Sequence, residues 1–264
     1  MRPANRPFLF NASACVAIAI SAVAAAGCGD DDNDSAAGSG EYCTTSLALE
    51  TLEEPDIDFE TASADDIAIA VKEWTVAEFL PMAQKLRAEA PDEVVEDIDI
   101  GIAGLNRLAE TGDFEAAFTA EMDTALDRLH EFDLGECRWK PVKVQAADYA
   151  FQGVPNTIDA GPTSFEFTNG GTEAHEMVVF RINDDVTETA QELLALAEEE
   201  AMTKVTMVAD AGGLPGESEY AVADLQPGRY AMVCFVPEGT TDRETEGTGQ
   251  PHFMKGMVYE FTVA

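Results

Sequence analysis

His175, Cys234, His252 and Met257 bring together two imidazoles, a thiol and a thioether in a chain that contains only three histidines. Two imidazole nitrogens and one thiolate in a trigonal plane, with a weak thioether sulfur on the axis, form the donor set of a mononuclear type 1 copper centre. Three of the four lie on one short stretch, Cys234-x17-His252-x4-Met257. A single loop between strands can therefore place three donors around one metal. His175 stands 59 residues upstream of Cys234 and must come from a neighbouring strand end. Met254, two residues after His252, is poorly spaced for the axis and is expected to pack instead. No general base or second metal cluster accompanies the set, so an enzyme is not expected.

The elements that must hold these donors are strands. Beyond Cys137 the sequence alternates apolar and polar residues, first at Val142, Val144, Ala146 and Tyr149. Gly153, Pro155, Gly161, Pro162 and Asn169-Gly170-Gly171 punctuate short strands such as Ser164 to Thr168 and Met177 to Ile182. A strand pair is expected around Pro227-Gly228, from Tyr220 to Leu225 and from Arg229 to Phe235, and Met257 to Val263 closes the chain. Six or seven strands of this kind predict a Greek-key sandwich over 138–264, with Glu188 to Met202 as a helical insertion.

Residues 43–137 have the opposite periodicity. Apolar residues recur at helical spacing from Ser63 to about Phe132, which predicts an all-α bundle of three or four helices. Ser63 caps the first, Pro81 kinks or restarts the second, and Thr111-Gly112-Asp113 stops the third. A fourth runs from Phe114 to Glu131. His130 is the only histidine of this half, and the acids Asp123, Asp127 and Glu131 read as a solvated face rather than a site. The resulting fold class is two-domain, an N-terminal helical bundle followed by an all-β Greek-key sandwich.

Arg2 and Arg6 precede the apolar stretch Val16 to Ala26, which ends in Ala25-Ala26-Gly27-Cys28. Residues 1–27 read as an export signal that is too short for a membrane span. The small residues before Cys28 resemble a bacterial lipobox with Ala25 in place of the usual leucine. That resemblance implies acylation of Cys28 and anchoring on the outer side of a bacterial membrane. The alternative is an ordinary secretory signal cut near Ala26. Residues 28–42, rich in Asp, Asn, Ser, Ala and Gly, read as a flexible acidic tether. In an oxidising compartment Cys43 and Cys137, which flank the helical region, are expected to pair, and ligation accounts for the remaining Cys234.

The net charge of −36 makes nucleic acid an improbable partner and fits a saline setting or a basic docking protein.

Residues from about 140 to 264 resemble the cupredoxins, the blue copper proteins typified by plastocyanin, azurin and halocyanin. The strand with Tyr149 and Phe151, Asn169-Gly170-Gly171 before His175, Tyr230 to Cys234, Pro251-His252 and Gly256-Met257 follow the family's order. The resemblance implies one copper held by His175, Cys234, His252 and Met257. It also implies one-electron transfer with a redox partner protein. Two features differ from well-known members: 17 residues, Phe235 to Pro251, separate the cysteine from the second histidine, and Glu176 follows His175 where many have asparagine. A copper-delivery protein that exchanges metal with a partner, and a metal-free binding module, are the other readings of the same residues.

Overall fold

The computed structural model describes residues 37–52, 55, 57 and 61–264. Apart from Thr61, which groups with the second, they belong to two units that divide between Arg138 and Trp139. The expected signal, Cys28 and the tether up to residue 36 lie outside the described residues.

The first unit is helical: α1 Ala37–Glu50, α2 Ala64–Trp74, α3 Leu80–Glu89, α4 Val95–Thr111, α5 Phe114–Ala117 and α6 Ala120–Glu136. Because α1 starts at Ala37, the last six residues expected in the tether are helical. Ser63 caps α2 by accepting the Asp66 N–H, and Asp65 and Asp66 sit in the first turn, where carboxylates meet the positive helix end. A single π-helical turn, Thr75–Phe79, joins α2 to α3. Pro81 follows at the start of α3, where its missing N–H costs least. Left-handed Gly112 (φ 70°) ends α4 as expected. The single helix expected from Phe114 is instead two, because Thr119 leaves the helical conformation and caps α6 by accepting the Met122 N–H. Tyr42, Leu86, Val94, Ile98 and Leu129 form a buried cluster, and the Cys43–Cys137 disulfide joins α1 to the end of α6.

The second unit is a two-sheet sandwich. Its strands are β1 Lys140–Ala147, β2 Ala150–Gln152, β3 Thr157–Ile158, β4 Gly161–Asn169, β5 His175–Ile182, β6 Val205–Gly213, β7 Ser218–Leu225, β8 Gly228–Val233 and β9 Val258–Val263. The sheets run β2-β1-β4-β7 and β3-β9-β8-β5-β6. Pairing is antiparallel except for β1 with β4 and β3 with β9. The segments flanking Pro227-Gly228 are not partners. β7 pairs with β4 in one sheet, whereas β8 lies between β5 and β9 in the other. Gly228 (φ 154°) lies in that crossing between sheets. The insertion forms two short helices, α7 Ala190–Leu193 and α8 Glu198–Met202.

Side chains alternate along each strand, so residues two apart share a face. Tyr230 and Met232 of β8, Met177 and Val179 of β5, and Phe261 and Val263 of β9 all enter the core between the sheets, with Phe165 and Phe167 of β4. The intervening residues Phe180, Ile182, Ala231 and Val233 form a second buried cluster with Ala190 and Leu193 of α7. Both faces of the central strands are therefore covered. That is why β5 and β8 read as nearly continuous apolar runs.

Candidate metal centre

The two-residue period carries the candidate donors onto the inner face. His175 opens β5 in phase with Met177 and Val179, Cys234 follows β8 in phase with Tyr230 and Met232, and Met257 precedes β9 in phase with Phe261. Antiparallel pairing brings Val178 opposite Val233 and Val233 opposite Val258. The start of β5, the end of β8 and the start of β9 thus meet at one end of one sheet. His252 heads a 3-10 turn, His252–Lys255, and left-handed Gly256 (φ 105°) turns the chain back into β9.

The 17-residue segment after Cys234 does not separate the donors. His252 N–H donates to Val236 O at 2.9 Å, Phe253 N–H to Cys234 O at 2.9 Å and Glu238 N–H to Gln250 O at 3.0 Å, and Pro237 bridges Pro251. These bonds zip the two ends of the segment together and leave 239–249 as an excursion. Thr240 O accepts the Ala174 N–H at 2.8 Å, which ties the excursion to the residue before His175. Met257 N–H donates to His252 O at 3.1 Å and Met257 O accepts the Cys234 N–H at 3.2 Å.

His175, Cys234, His252 and Met257 are each fully buried. His175 Nδ1 lies 3.0 Å from His252 Nδ1, and Cys234 Sγ lies 4.0 Å from the first and 3.5 Å from the second. Metal bonds of about 2.0–2.3 Å to nitrogen and sulfur place donors in a trigonal plane roughly 3.5–3.7 Å apart. The observed triangle brackets that size. Met257 belongs to the same buried cluster as Cys234, and its backbone is bonded to both Cys234 and His252.

The outer nitrogens explain why the inner ones point at each other. His175 Nε2 is 3.3 Å from Asp148 Oδ1 and His252 Nε2 is 3.2 Å from Glu173 Oε2. A carboxylate can only accept, so each Nε2 is assigned the ring proton and each Nδ1 is a bare lone pair. Two such lone pairs and a sulfur, buried and converging, form an electron-rich centre that fits a soft cation. Burial pushes both histidines below their ordinary value, opposed at His175 by Asp148 and reinforced at His252 by its neighbour His175. Asp148 is held below the usual carboxylate range, first by the backbone N–H of Thr172.

Glu176 supplies a tie between the two ligand segments. Its N–H approaches Cys234 Sγ at 3.5 Å, and its carboxylate Oε1 accepts the Phe235 N–H at 3.0 Å. Tyr149 packs edge-on against His252 with ring centroids 5.1 Å apart, and Lys255 sits 4.6 Å above the Tyr149 ring. Met254 is not a packing residue: its side chain is 55 % exposed. Asp148 and Glu173 were not legible as site residues, since neither belongs to a ligand spacing and the chain has 51 acids. Only the position of Glu173, two residues before His175, carried a signal.

No protein-family model matches the chain, and no curated protein matches it. Among solved structures it is similar to dithionite-reduced auracyanin from Roseiflexus castenholzii, at 19% identity and a TM-score of 0.33 over 47% of this chain and 97% of that one. It is also similar to auracyanin A, a "blue" copper protein from Chloroflexus aurantiacus, at 15% identity and a TM-score of 0.29 over 47% of this chain and 99% of that one. Reduced rusticyanin gives 17% identity and a TM-score of 0.29 over 47% of this chain and 80% of that one.

Proposed function

We infer that the strand unit is a cupredoxin-like domain that binds one copper ion through His175, Cys234, His252 and Met257 and acts as a one-electron carrier. The supporting observation is the convergence of two imidazole lone pairs and the Cys234 sulfur, buried at the meeting point of three strand ends. Copper, when bound, supplies a one-electron couple. Cys234 would hold it through its thiolate, His175 and His252 through imidazole nitrogens, and Met257 through its thioether sulfur. The hydrogen bonds that fix these segments keep the donors in place whether or not charge changes at the centre, and a site that need not rearrange exchanges an electron at low cost. Full burial of the donors favours a carrier over a delivery protein, because handing metal to an acceptor needs access to it.

The helical unit is taken as a separate bundle that serves as scaffold or docking module, and Cys28 as the acylated amino terminus of an exported lipoprotein. A basic redox protein is the expected partner. Potentiometric titration of the copper-loaded protein tests the carrier: the reading requires one reversible electron per chain, and a redox-silent product, or rapid transfer of copper to an added Cu(I) acceptor, would overturn it. Expression of wild type and Cys28→Ala in a bacterial host tests the anchor, with the wild type in the membrane fraction and the variant released. Equal release of both would rule the anchor out.

A further inference from the structure

Both candidate ligand imidazoles are backed by a carboxylate, and both carboxylates are themselves held. Asp148, in the turn between β1 and β2, accepts the Thr172 N–H at 2.8 Å and the Thr172 hydroxyl at 3.0 Å. Glu173 Oε2 accepts the Gly239 N–H at 2.7 Å. Asn169 fixes the turn between them: its Oδ1 accepts the Gly171 N–H at 2.8 Å, and its amide donates to Glu173 O and Gly213 O, each at 2.8 Å. Glycine at 171 makes room for the first pair, because a Cβ there would stand 2.5 Å from His175 Nε2 and 2.6 Å from Asp148 Oδ1. Glu173 is in turn tied through Gly239 to the excursion after Cys234. The long segment that sets this chain apart thus helps hold the backing group of His252.

We propose that Asp148 and Glu173 are positioning residues that set the reduction potential of the centre, holding it low by anchoring both ligand imidazoles as Nε2–H donors to anionic oxygen. This rests on the copper reading above. An imidazole that donates Nε2–H to a carboxylate is a more basic ligand at Nδ1 and is fixed in orientation. Two negative charges one ring away from the metal stabilise the higher-charged oxidation state over the lower one. The pairs therefore favour Cu(II) relative to Cu(I).

The test compares wild type with Asp148→Asn, Glu173→Gln and the double variant, which remove charge and keep an oxygen acceptor. Loss of a backing group typically lowers metal affinity about 10–100-fold. Here Cu(II) affinity is expected to fall by that range and Cu(I) affinity by less. Each tenfold difference between the two states raises the potential by about 59 mV for one electron. Gly171→Ala is expected to reproduce Asp148→Asn and to leave the Glu173 pair intact. A second readout needs no copper: two Nε2–H proton resonances in the metal-free protein, each shifted or lost in the variant that neutralises its acceptor. One bound copper with potentials unchanged across the series, or metal-free Nε2–H signals that ignore both substitutions, would overturn the proposal. Failure of the wild type to bind copper would instead overturn the reading on which it rests.

Discussion

At the centre of the site, chemistry is decided by which ring nitrogen carries a proton. With Nε2 of His175 and His252 directed at Asp148 and Glu173, the two Nδ1 atoms and Cys234 Sγ have no proton to share but that of the thiol. A cation bound there would be held by the two lone pairs and by the Cys234 thiolate. Replacing Cys234 with Ser, a change of one atom at a fully buried position, is expected to abolish thiolate-to-copper absorption while the fold survives. Visible absorption and circular dichroism of the variant check this, and an unchanged visible spectrum would place the metal elsewhere. The donors were legible because histidine and cysteine are rare in this chain, so their spacing stood out. Asp148 and Glu173 were hidden among 51 acids, and only the folded turn shows which two meet the rings.

At the scale of elements, the site is the common end of β5, β8 and β9, and strand parity turns His175, Cys234 and Met257 inward together. That parity was masked, because β5 and β8 are apolar on both faces, but the main strands and the stop at Gly112 were readable. Partnership was not. Tyr220 to Leu225 and Arg229 to Val233 are adjacent in sequence and separated by a turn, yet they belong to different sheets, because the core between the sheets needs both. β6 escaped notice because Val205–Gly213 ends in Ala and Gly, residues with weak strand preference. The break at Thr119 was masked by apolar residues that keep helical spacing on either side of it.

In α6, Asp133 is buried and accepts the Ser46 hydroxyl, and burial lifts its pKa to about 6. A raised carboxylate pKa means that the folded state holds its proton more tightly than the unfolded state does. The associated stability is fully present below the unfolded value near ~4 and is lost as pH rises to about 6. The shift corresponds to roughly 2–3 kcal/mol. Asp133→Asn is therefore expected to stabilise the helical unit above pH 6 and to change it little near pH 4. Denaturant midpoints across that range check this, and a gain that does not grow with pH would contradict it. Reduction of Cys43–Cys137, which closes a loop with a sequence separation of 94, is expected to destabilise the same unit by up to ~4.7 kcal/mol on the chain-entropy view. The visible spectrum of the loaded strand unit should be unaffected.

Across the whole molecule the dominant property is a net charge of −36. A field of that sign speeds encounter with cations and slows it with anions, and salt screens both effects within a Debye length of about 8–10 Å. Reduction by a cationic small-molecule donor is accordingly expected to slow with rising ionic strength, and reduction by an anionic donor to accelerate. Stopped-flow rates measure both, and slopes of the same sign would show that the surface charge does not steer electron exchange. On the function proposed above, His175, Cys234 and His252 converge to hold copper. Titration of the purified protein with Cu(II), followed by its visible absorption, tests it most directly. An intense blue or green band that saturates at one copper per chain is the result expected. No band and no stoichiometric binding would leave a two-sheet sandwich with a buried polar cluster and no metal function.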